Sequence, residues 1–186
     1  IISFEASPIN FEYLKKEIDQ NKEGYNNTEI VLENAALGAE NKIVEFIQFN
    51  ESSSSTIKEI DKKSEYYKRK FRLINFLNNK ETYQKIKIKI SKLKDYIEKN
   101  NIKKIDFMKI DTEGYEFEIL LGLENKIKLV DIIMFEHHYD NMIKKGYTFE
   151  DINKLLIKNN FNKIYKSRMP FRKTFEYIYK REESIN

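Results

Sequence analysis

Residues 109–116 read KIDTEGYE, a lysine and three carboxylates around one glycine, directly after the apolar-rich run Ile105-Asp106-Phe107-Met108. Carboxylates at that density can accept a proton, orient a hydroxyl or ligate a hard cation. With a period of two along a strand, Lys109 and Asp111 share one face. The plain alternative is a helix start, with Asp111 or Thr112 as N-cap and Glu113 complementing the dipole by about 0.3–1 kcal/mol. A cap needs one acid, and three are present. Gly114 inside a first helical turn would cost about 1 kcal/mol relative to alanine, so it points to a close approach of backbone to a ligand or a neighbouring strand.

Three further places have chemistry in reach. FEHHYD (135–140) holds both histidines of the chain. Consecutive strand residues face opposite ways, so only one of His137 and His138 can enter a cleft shared with the neighbours of Glu136. A histidine poised near neutrality is a good general base, and an adjacent carboxylate can orient it. Glu5 closes the apolar run IISFE just before Ala6-Ser7-Pro8. Its two acceptor oxygens suit the vicinal diol of an adenosine-type ribose, although a solvated strand-end carboxylate would look the same. Asn34-Ala35-Ala36 follows a second strand, where small residues admit a flat ring and an amide can pair with its edge.

The elements that position these residues follow from periodicity. IISFE, EIVLE (29–33), KIVEFIQF (42–49), IKIKI (86–90), IDFMKI (105–110) and VDIIMFE (130–136) read as strands, the last as a central parallel strand buried on both faces. A helix follows Asn10 with Phe11, Leu14 and Ile18 at helical spacing. Further helices are expected over 93–100, 116–123 and 149–159, the last with Thr148 as N-cap. FNKIYKS and FEYIYKR close the chain as two strands around Met169-Pro170. Strands alternating with helices, then a closing pair, indicate an α/β doubly wound, mostly parallel sheet with an antiparallel C-terminal edge, in one domain spanning 1–186. Ligands of such sheets bind at the carboxyl ends of the strands, which selects Glu5, Asn34, the KIDTEG stretch and Glu136 onward.

Composition narrows the classes. The 186 residues include no cysteine, which excludes thiolate chemistry and disulfides and fits a cytoplasmic protein. No apolar stretch is long enough for an integral membrane segment. The net charge of +4 is unevenly spread: residues 56–104 carry 16 Lys and Arg against 6 Asp and Glu, leaving 18 against 24 elsewhere. The excess belongs to a basic helical insertion expected at about 52–85, opened by the serine run 52–55. That segment could read an anionic acceptor, or could be a solvated lysine-rich face. A nucleic-acid module stacking bases on its aromatics is the weaker alternative, because those aromatics fall at helical core spacing; no nucleic-acid partner is expected.

With these residues in place, the sequence resembles the FkbM family of S-adenosylmethionine-dependent methyltransferases. The resemblance runs through FEASPINFEYLKKEIDQN (4–21), VLENAALG (31–38), the serine run, IKISKLKDYIEKNNIKKIDFMKIDTEGYEFEILLG (88–122) and IIMFEHH (132–138). It implies a Rossmann-like class I fold, S-adenosylmethionine as cofactor, and methylation of a hydroxyl on a sugar or natural-product acceptor. By position, Glu5 and Ser7 would hold the ribose side of the cofactor and Asn34 and Ala35 would line the adenine. Asp111, Glu113 and His137 would face the acceptor as the catalytic set, with Lys109 and Glu136 binding substrate.

The family's glycine-rich first strand and loop would precede Glu5, and the five glycines here are too scattered to form it, so an N-terminally truncated methyltransferase is expected. Methyl transfer needs an aligned acceptor oxygen and a group to take its proton. Asp111 or His137 would take the proton while Glu113 and Glu136 orient the acceptor; in a variant, Asp111 and Glu113 would hold Mg²⁺. A non-catalytic Rossmann-like scaffold is the remaining alternative.

Overall fold

The computed structural model describes residues 1–25, 27–49, 55–58, 61, 63–64, 67–68, 83–139, 143–170 and 173–182. Strand β1 (Ile2–Phe4) leads through Ser7 into helix α1 (Pro8–Gln20) and returns as β2 (Val31–Glu33), paired in parallel with β1. The helix begins earlier than Asn10. Ser7 is the N-cap, its hydroxyl accepting from the Asn10 backbone N–H, and Pro8, which has no N–H to lose, occupies the first turn.

A second sheet has the order β3-β5-β4, from β3 (Ala36–Leu37), β4 (Lys42–Phe49) and β5 (Tyr83–Ser91). The β4–β5 ladder is antiparallel from Lys42 opposite Ile90 to Phe49 opposite Tyr83. As the alternation requires, Lys85, Lys87 and Lys89 point to solvent while Ile86, Ile88 and Ile90 turn inward. Most of the expected basic insertion lies outside the described residues; of it, Thr56 bridges to Ile47, and β5 already begins at Tyr83.

The third sheet has the order β6-β7-β9-β8. It is built from β6 (Ile105–Ile110), β7 (Val130–His138), β8 (Phe161–Arg168) and β9 (Thr174–Arg181), with helices α2 (Leu93–Lys99), α3 (Glu116–Gly122) and α4 (Phe149–Lys158) between or before them. Strands β6 and β7 are parallel, and β9 runs antiparallel to both β7 and β8. The antiparallel C-terminal edge is therefore present. The mostly parallel character is not, because β9 inserts between β7 and its own hairpin partner and β4 pairs antiparallel with β5: the sheets are mixed. Strand β7 is the central, largely buried strand expected, parallel to β6 on one side and antiparallel to β9 on the other.

The core is aliphatic where helices meet strands and aromatic under β9. Ile97, Leu120, Leu123, Ile133, Ile152 and Leu156 are almost fully buried, and Phe135 of β7 stacks between Tyr177 and Tyr179. Helix α4 starts with a reciprocal capping box: Asp151 N–H donates to the Thr148 hydroxyl, and the Asp151 carboxylate accepts from Thr148 N–H. Helix α3 lies so close to the chain after β3 that a Cβ on Gly122 would stand 2.0 Å from the Gly38 carbonyl oxygen. That contact fixes the helix following the KIDTEG turn against the first half of the chain. Among the described residues, no helix is long and apolar enough to cross a membrane.

Candidate active site

Strands β1 and β6 belong to different sheets, and a cleft of about 1180 Å³ runs between them. Glu5, Ala35, Lys109, Asp111, Glu113 and Glu136 all line it. These are residues at or just beyond the carboxyl ends of β1, β2, β6 and β7, the end of an α/β sheet where ligands bind. Ser7, Asn34 and His137 are not among the lining residues.

The acids meet because of register. The parallel β6–β7 ladder runs to Ile110 opposite Phe135, so Asp111, the first residue past β6, emerges beside Glu136, which continues in β7 opposite Glu176 of β9. Burial, and after it the charge of Asp111, raises the pKa of Glu136 above the ordinary glutamate value. Asp111 is about half exposed and pairs with Lys109 at 3.2 Å, the two sharing a face as their spacing predicts.

The Glu113-Gly114 turn has both residues in the left-handed region, at φ of 47° and 93°. Glycine adopts that conformation without penalty, whereas glutamate needs external support. The close approach inferred for Gly114 is found, since a Cβ there would lie 2.7 Å from Ile143. Neither Asp111 nor Thr112 caps α3, whose N-cap position is Tyr115 with no side-chain cap bond. Instead the third acid of the motif, Glu116, is fully buried beneath the turn. It accepts from Gly114 N–H at 2.9 Å, from the Thr112 hydroxyl at 3.3 Å and from the Tyr147 hydroxyl. From the far side, the Thr56 hydroxyl donates to the Glu113 carbonyl at 3.1 Å.

The histidine beside these acids is His138, not His137. His138 Nε2 stands 3.5 Å from Glu113 Oε2, and its Nδ1 is 3.0 Å from the Thr174 hydroxyl of β9. His137 points to the opposite face, 3% exposed, among the rings of Tyr139, Tyr147 and Phe149. Burial, with smaller contributions from Lys145 and His138, pushes its pKa down to about 3, so it is neutral at physiological pH. Alternation along β7 already puts Glu136 and His138 on one face, a signal present in the sequence. Thr56, Thr174 and Glu116 had no comparable signal, because each acts through a partner far away in the chain.

At the other end of the cleft, one oxygen of Glu5 accepts from Ser7 N–H at 2.7 Å, and the Asn34 amide donates to the Glu5 carbonyl at 2.9 Å. Burial raises the Glu5 pKa. The Ser7 hydroxyl is committed elsewhere, accepting from Asn10 N–H and donating to the buried Gln48 at 3.0 Å. Asn34 and Ser7 thus brace Glu5, which lines the cleft together with Ala35. That arrangement fits an adenosine-type cofactor. A metal is another matter: among the described residues, no three Asp, Glu or His side chains converge in a way that could hold an ion, and Lys109 already neutralises Asp111.

A protein-family model described as the methyltransferase FkbM domain matches residues 1–165, from β1 into β8, and so takes in every residue of the cleft named above. No curated protein and no solved structure matches the chain. The family model covers most of the 186 residues, and the chain therefore belongs to the FkbM methyltransferase family.

Proposed function

We propose that this methyltransferase uses S-adenosylmethionine to methylate a hydroxyl oxygen of a saccharide or natural-product acceptor. The observation that carries the reading is the meeting, in one cleft, of the braced carboxylate of Glu5 with Asp111, Glu113 and Glu136 at the ends of neighbouring strands. When bound, the cofactor supplies an electrophilic sulfonium methyl. Glu5 holds the ribose hydroxyls through its carboxylate, and Ala35 leaves room for the adenine. Asp111 accepts the proton of the acceptor hydroxyl as that oxygen becomes nucleophilic, with Lys109 3.2 Å away on the same face. Glu136 and Glu113 hold the acceptor in line, the geometry on which displacement depends. No metal takes part in this scheme.

Calorimetry of the full-length protein with S-adenosylmethionine and S-adenosylhomocysteine tests the cofactor half of the proposal. Binding of both is expected, with Glu5→Gln weakening each by about tenfold, as the loss of charge-assisted hydrogen bonds implies. Absence of heat from either nucleoside would sink the reading.

A further inference from the structure

The motif's third acid lies outside the cleft, buried and hydrogen-bonded beneath the turn. Glu116 is 0% exposed and accepts three hydrogen bonds, two from the turn that carries Glu113 and one from Tyr147 of the loop preceding α4. A carboxylate in so dry a position persists only when its oxygens are satisfied. Burial, and next to it the charge of Glu116, raises the Tyr147 phenol well above its ordinary pKa, so it stays a donor. The backbone that these bonds fix is the one that needs support: Glu113 at φ 47° followed by Gly114 at φ 93°. Beyond it, the Glu113 carboxylate reaches His138 and the cleft.

We infer that Glu116 and Tyr147 are positioning residues, a buried carboxylate–phenol pair that holds the left-handed Glu113-Gly114 turn and so aims the Glu113 carboxylate at the acceptor and His138. The effect on transfer rests on the methyltransferase reading proposed above; the placement of Glu113 does not. A side chain held from below by two elements moves when either hold is cut, and a displacement of about 1 Å at a reacting centre can cost on the order of 100-fold in rate.

The test uses Glu116→Ala, Glu116→Gln and Tyr147→Phe in the full-length protein, with two readouts. The first is the NMR titration of the His138 ring. The groups facing that ring or its backbone include, among the described residues, the Glu113 carboxylate from the turn, the Thr174 hydroxyl from β9, the Lys145 ammonium on its carbonyl, and its chain neighbours Glu136 and His137. Of these, Glu113 is the one whose own turn Glu116 bonds directly. Glu116→Ala and Tyr147→Phe should shift the His138 midpoint toward that of Glu113→Gln, and Glu116→Gln, which keeps an acceptor for Gly114 N–H, should shift it less. The second readout is kcat against S-adenosylmethionine affinity: kcat falls by about 100-fold in Glu116→Ala and about tenfold in Tyr147→Phe, with cofactor affinity within about twofold of the parent. An unchanged His138 titration in folded Tyr147→Phe overturns the inference, as does a loss of cofactor affinity equal to the loss of kcat. Should the parent protein show no methyl transfer, the function proposed above fails while the titration still decides the role of Glu116.

Discussion

His138 of β7 stands 3.5 Å from the Glu113 carboxylate, joined on its other nitrogen to Thr174 of β9. The antiparallel edge of the sheet thus reaches the site through this histidine. Replacing His138 with Gln should lower kcat by about tenfold while leaving cofactor affinity unchanged, because Glu113 loses its partner and Glu5 does not. Steady-state kinetics with calorimetry in parallel would show it; an unchanged kcat would mean that the contact is structural only.

His137 provides a stability prediction of opposite kind. Its folded pKa, near 3, lies below the unfolded value near 6.5. Between these values the unfolded chain binds a proton that the folded chain refuses, so stability falls as pH drops from about 6.5 toward 3, and is fully retained above 6.5. The slope from this residue is at most about 1.4 kcal/mol per pH unit, reduced by whatever water reaches the ring. In His137→Phe, urea denaturation across that window should show a shallower pH dependence. An identical slope would contradict the buried neutral assignment.

Glu136 should show a trade of stability against activity. Its pKa is raised by burial, so folding is favoured with the proton on, and this contribution is lost as pH rises through the folded pKa. At pH 7 the buried charge is a cost. Glu136→Gln should therefore melt higher than the parent at neutral pH, gain nothing at pH 3, and transfer methyl groups more slowly. A lower melting temperature at pH 7 would refute the desolvation argument.

Two changes probe the scaffold and the metal question. Gly122→Ala places a methyl group 2.0 Å from the Gly38 carbonyl oxygen, a backbone atom that cannot swing aside. Overpacking of this kind costs about 1–3 kcal/mol, which thermal denaturation would resolve. Treatment with EDTA should leave methyl transfer intact, since Lys109 occupies the place of a cation on Asp111. Activity lost to EDTA and restored by Mg²⁺ would overturn that view.

Much of the site was legible because strand ends are legible. Period-two alternation and a break at Pro8 or Gly114 put Glu5, Asp111 and Glu136 at carboxyl ends of strands, and the structure gathers all three in one cleft. Parity also said that one histidine faces the acids. Two residues after Glu136, His138 is the one that parity selects, whereas its partner Thr174, 36 residues away and set by the β7–β9 register, left no such signal. The two-residue strand β3 is too short to leave a periodic signal, and the start of α1 depended on Pro8 fitting the first turn rather than on the apolar spacing. Glu116 had the look of an ordinary acid in a helix's first turn, and only its partner Tyr147, from the loop before α4, explains why it is buried.

In the proposed function the cleft between β1 and β6 is where a methyl group passes to a hydroxyl, and Asp111 takes the proton. Single-turnover transfer from labelled S-adenosylmethionine by Asp111→Asn measures it most directly, with cofactor affinity followed on the same samples. A rate lower by about 100-fold is expected, within the range typical of a lost general base, at an affinity within about threefold of the parent. Transfer at the parent rate in Asp111→Asn with cofactor bound would contradict it.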